Sequence, residues 1–138
     1  MIHGQLPVAA LWRARLARFL AVCNASGPGD EPARLREALS LFQHADVPES
    51  LHLDRMIDAG AFESAALTLI GGDAGYMLSR GGNGVCLASV CLPAGTEQHT
   101  CEAGSPALAL LAATATALWH VAADDIAVNL DREAAWLN

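Results

Sequence analysis

The chain has 138 residues, of which 53% are hydrophobic and 17% charged, and a formal net charge of −7. Such a length and composition fit one packed domain and exclude a wholly disordered chain. All eight basic residues are arginine, so the chain is acidic and free of lysine; it is poorly equipped to displace counterions from a phosphate backbone, and no nucleic-acid partner is expected.

Aromatic residues make up only 5% and alanine is abundant. Alanine buries little area, so burial energy must concentrate at the Leu, Ile, Val, Trp and Phe positions. Met1–Pro7 lacks the basic segment and apolar stretch of a signal peptide. The four cysteines, Cys23, Cys86, Cys91 and Cys101, then read as free thiols in a reducing cytoplasm rather than as disulfide partners. The longest apolar run, Ala107 to Ala117, is shorter than the roughly 20 residues that span a bilayer, and no membrane contact is expected.

From about Pro7 to Cys23, Val8, Trp12, Leu16, Phe19, Leu20 and Cys23 fall on one side of a helix. Arg15 and Arg18 lie opposite, and Leu11 sits between them, off the apolar stripe. The run Ala25-Ser26-Gly27-Pro28-Gly29 ends this helix, and Asp30 with Pro32 starts a second one. Its inner face is Leu35, Ala38, Leu39, Phe42 and Ala45, and the two helices form a helical hairpin. Asp46 and Pro48 open a short third helix carrying Leu51, Met56 and Ile57, interrupted at Gly60. A fourth carries Phe62, Ala65, Ala66, Leu69 and Ile70 and stops at Gly71-Gly72.

Here the pattern changes. Gly75 to Arg80 reads as a strand, Gly81-Gly82-Asn83-Gly84 as a turn, and Val85 to Leu92 as a second strand, apolar on both faces and therefore central or covered on both sides. Thr96 to Glu102 alternates in polarity and is expected to form a third, edge strand. Ser105 and Pro106 make an N-cap and first turn for the longest helix, Ala107 to about Ala122, with Leu108, Leu111, Ala115, Leu118 and Trp119 inward. Asp124 or Asp125 is expected to cap a last short helix containing Ile126, Val128, Leu130 and Trp136. The fold class is α+β: a helix-rich two-layer domain with an N-terminal helical hairpin, an antiparallel sheet of two or three strands and a long C-terminal helix. It is one domain, divided into a helical part (1–57), an α-β-β-(β)-α module (58–122) and a tail helix (123–138).

Residues able to carry chemistry are few. Cys91, His99 and Cys101 have the donor types of a zinc site, with a fourth ligand to come from Cys86, His120 or elsewhere. Their spacing matches no zinc knuckle, and Cys86 and Cys91, an odd number apart in one strand, point to opposite faces. Cys101 and His99 share a face and have the types of a nucleophile–base pair, without the flanking signature of a cysteine protease. The glycine clusters follow a helix or join two strands, which is the wrong order for a dinucleotide fingerprint, and a lysine-free chain has no P-loop. Asp124-Asp125 reads as helix capping, and His120 and His44 as partners of helix C-termini.

The helix ending in Ala66-Leu-Thr-Leu-Ile70, the strand Gly75-Tyr-Met-Leu-Ser-Arg80, the second strand and Ser105-Pro-Ala-Leu-Ala-Leu110 together resemble small bacterial proteins, some prophage-associated, whose α-β-β-(β)-α module is known as a phage ABA-sandwich domain. The likeness covers about residues 58–122. It implies that fold and a mobile-element setting, and it brings no catalytic residues or cofactor. The expected function is a non-enzymatic protein-binding or structural module. Its partner is another protein or a second copy, with Leu11, Trp136 and Leu137 as contact residues. The alternative is a small enzyme or ligand- or metal-binding protein built on the Cys/His cluster.

Overall fold

In a computed structural model, the backbone is described for residues 8–42, 47–93, 95 and 97–137, and the side chains for residues 10–42, 51–93, 95 and 97–123. Five helices and three strands follow in the order α1 (Val8–Ala25), α2 (Glu31–Leu41), α3 (Val47–Asp58), α4 (Phe62–Ile70), β1 (Gly75–Arg80), β2 (Cys86–Cys91), β3 (His99–Ala103) and α5 (Pro106–Leu137). A single 3-10 turn, Pro28–Asp30, leads into α2.

The α1–α2 hairpin forms as its pattern requires. Leu16, Phe19 and Cys23 of α1 and Leu35, Ala38, Leu41 and Phe42 at α2 are buried. Phe19 meets Phe42 edge to face at 5.8 Å, a favourable aromatic geometry. The Trp12 Nε1–H donates to the carbonyl of Leu41 at 2.8 Å, satisfying one of the orphan carbonyls at the end of α2. The larger part of α1, however, packs on α5.

Helix α5 is the hub, touching α1, α2, α4 and all three strands. Ser105 Oγ accepts the N–H of Leu108 at 3.2 Å and Pro106 supplies the first turn, which is the cap that the sequence specifies. Every residue from Ala107 to Ala115 is buried. Small alanines let the sheet and the helices approach α5 from several sides, while Leu108, Leu110 and Leu111 fill the remaining volume. The window Pro106–Ala123 is long and apolar enough to cross a membrane by composition, but most of it lies inside the protein, as befits a core helix.

The sequence reading breaks this helix near Ala122, and the structure does not. α5 runs 32 residues, about 48 Å at the usual rise. No glycine or proline lies between Ala107 and Leu137, and positions 124 and 125 fall within one continuous helix, not at the start of another. His120 is correspondingly well inside α5, not at a helix C-terminus.

The sheet has the order β1-β2-β3, all antiparallel, with β2 central. The turn between β1 and β2 closes through Gly81 N–H to the Val85 carbonyl at 2.8 Å. Gly84 takes φ of 85°, a conformation that glycine adopts without the cost of a Cβ. Cys86, Ala88 and Val90 of β2 are buried toward α5, whereas Leu87 is exposed. β2 is therefore central but covered on one face only.

Candidate functional site

The strand register decides which of the candidate residues meet. Val90 faces His99 and Ala88 faces Cys101, so His99 and Cys101 lie on the side of the sheet that packs on α5. Cys91 faces Gly75 and shares its side with Leu87 and Ser89, the side away from α5. Neighbouring residues along a strand point to opposite faces, so Cys91 cannot join His99 and Cys101 around one ion. The candidate metal triad of Cys91, His99 and Cys101 is thus split across the sheet. No group of three or more His, Cys, Asp or Glu side chains among the described residues is placed to hold a metal.

Cys101 has a packing role instead. Its Sγ lies 3.3 Å from Thr116 Oγ1, and that hydroxyl donates its proton to the Ala112 carbonyl at 2.9 Å. The Thr116 oxygen is then left to accept the Cys101 S–H, tying β3 to α5. Cys23 and Cys86 are buried and Cys91 half-buried, and all four cysteines are free. Burial pushes the Cys23 thiol up to about 12, partly opposed by the positive charge of Arg34. A thiol that stays protonated is no nucleophile. Glu31, 8% exposed at the start of α2, is also raised by desolvation, with the Ser105 hydroxyl acting in the opposite direction.

His99 does find a partner, but it is His120 rather than a thiol. The two imidazoles stack at 4.4 Å with an interplanar angle of 15°. Trp119 stands edge-on to His120 at 5.0 Å, and the Arg13 guanidinium lies 3.4 Å above the Trp119 ring. This run of planar groups joins β3, α5 and α1. It borders a cavity of about 130 Å³, also lined by Leu92, Glu97 and Ala117. Ring-nitrogen lone pairs lie in the ring plane, so two parallel imidazoles do not converge on one ion. The sequence carries no periodic signal for a pair 21 residues apart on different elements.

The other unusual feature is what stays uncovered. On the side away from α5, Met77 (68% exposed) and Leu87 (39%) form an apolar pair beside Ser79, Ser89 and Thr100. Ser89 and Thr100 hydroxyls are bonded across the strands at 2.6 Å. Tyr76, at the outer strand, is half exposed as well. Among the described residues β1 is paired on one side only. Of the contact residues read from the sequence, Leu11 is exposed (49%), while the side chains of Trp136 and Leu137, and all of His44, lie outside the described residues. Comparison with protein-family models, with curated proteins and with solved structures gives no match to this chain.

Proposed function

We propose that this protein is a non-enzymatic protein-binding module of the cytoplasm, of the phage ABA-sandwich kind, whose contact surface is the uncovered sheet face and the β1 edge. One observation carries this reading: Met77 and Leu87 on the uncovered face, and Tyr76 at the β1 edge, are large side chains left exposed on a sheet whose α5 side buries Cys86, Ala88 and Val90. A strand edge with free backbone groups and flanking apolar side chains is suited to adding a strand from a partner. His99 stacks on His120 and the Cys101 thiol is bonded to Thr116, which weighs against a thiol-based enzyme built on this pair. Four free thiols support a reducing compartment.

Selection of displayed peptides against the folded chain, followed by amide-resonance mapping, tests the reading. Binders are expected to perturb β1 and the Met77–Leu87 face, and to be lost with Met77→Lys. Binders that map instead to the His99–His120 cavity overturn it.

That cavity favours a second reading, a small-ligand site held by the two imidazoles. Its lining of two imidazoles and the Glu97 side chain offers polar partners to a small ligand. Titration with inorganic phosphate while following the His99 and His120 ring resonances tests it. Rings that do not respond remove this reading.

A further inference from the structure

We infer that the groove between α1 and α2 is a binding site for a small amphipathic acid, a ligand with an apolar alkyl or aryl body and one carboxylate. The groove is separate from the sheet face and from the His99–His120 cavity, and what binds there does not bear on it.

Helical spacing builds the groove. On α1, Arg15, Phe19 and Val22 follow one another along one side, and Arg18 stands one turn before Val22. On α2, Glu37, Ser40 and Leu41 recur in the same way on the facing side. Together they line an open cavity of about 360 Å³, within the size range of small-molecule sites. Its floor is apolar, with Phe19 and Leu41 buried and Val22 half-buried, while Arg15, Arg18, Glu37 and Ser40 are exposed.

The charges choose the ligand. The chain carries 15 acidic residues against eight arginines, yet the arginines of α1 and α2 are of two kinds. Arg34 is bonded to Glu37 at 2.9 Å and to the Ser26 hydroxyl at 3.3 Å, Arg36 lies 3.6 Å from Asp54, and Arg13 is stacked on Trp119. Arg15 and Arg18, which border the groove, make no ion pair among the described residues. Glu37 borders it too, but is held by Arg34 and leaves both guanidiniums to a ligand. A guanidinium fork matches the two oxygens of a carboxylate, and the Ser40 hydroxyl supplies a further donor. The floor of Phe19, Val22 and Leu41 calls for an apolar body behind that carboxylate. A small dianion would leave this floor uncovered, and Glu37 repels a second negative charge.

Titration of the full chain with phenylpropionate, followed at the Val22 methyl and the Arg15 and Arg18 Nε resonances, tests this, with circular dichroism melting to confirm that each variant folds. Saturable shifts at these groups are expected. Phenylpropanol, which has the same body without the charge, should bind about tenfold more weakly. Arg15→Gln and Arg18→Gln should each weaken phenylpropionate by about threefold to fivefold. Arg36→Gln changes the net charge equally but removes an arginine outside the groove, and should leave the affinity as it is. Ser40→Leu, at an exposed helix position, fills the groove and should abolish saturable binding. No saturable shift at millimolar phenylpropionate overturns the inference. So does equal binding of the acid and the alcohol, or equal weakening by Arg36→Gln and the groove variants.

Discussion

The two sides of the sheet are built from the same three strands and have opposite chemistry. Toward α5, Cys86, Ala88 and Val90 are sealed against an alanine-rich helix, and Cys101 is bonded to Thr116. Away from α5, the alternate residues Met77, Leu87 and Cys91 stand beside Ser89 and Thr100, with no element of the fold packed over them among the described residues. The difference shows that alternation along a strand does not by itself tell which apolar residues belong to the core.

The most severe way to break this comparison is to place one charge on each side of β2. Val90→Asp buries an unpaired carboxylate and should cost roughly 3 kcal/mol or more, or prevent folding. Leu87→Asp, three residues away on the other side, should stay within about 0.5 kcal/mol of native in urea unfolding of the monomer. Equal costs would mean that the outer face is packed in the folded monomer.

The thiols sharpen the contrast with a somewhat smaller effect. Cys91 should react with a thiol reagent in the folded chain, whereas Cys23 and Cys86 should wait for unfolding. The Cys23 value is raised from 9.0 to about 12, so the folded state holds this proton more tightly than the unfolded chain. Its contribution to stability is therefore complete below pH 9 and is lost as pH rises toward 12, with a slope of up to ~1.4 kcal/mol per pH unit. Urea unfolding at a series of alkaline pH values should show that loss in the native chain and a flatter profile in Cys23→Ala.

Glu31 provides the smallest effect. Its carboxyl is raised by burial, so its contribution is complete only below the ordinary carboxylate range and is lost as pH climbs through the raised value. At neutral pH the ionised group is a net cost, and Glu31→Gln should raise the melting temperature by about 1–3 °C. A lower melting temperature would show that the charge at the start of α2 outweighs its desolvation.

Much of the fold can be read from the residues themselves. The apolar spacing in α1 and α2, the Ser105-Pro106 cap and the glycine-rich turn after Arg80 are local signals, and each forms the element it specifies. The continuity of α5 is missed because Asp124-Asp125 has the chemistry of a cap, yet two acids do not stop a helix that contains no glycine or proline. The site is less legible. Alternation in β2 shows two apolar faces but not which one the domain covers, because that depends on where α5 lies. The stacking of His99 on His120 requires β3 and α5 to cross at one point, a tertiary fact with no trace in spacing.

Hydrogen exchange of the β1 amides, measured with and without a bound selected peptide, tests the proposed contact surface most directly. If the β1 edge is that surface, alternate amides of Gly75–Arg80 exchange more slowly in the complex, while those of β3 do not change. Identical exchange of β1 in the free and the bound chain would place the contact elsewhere and contradict the account.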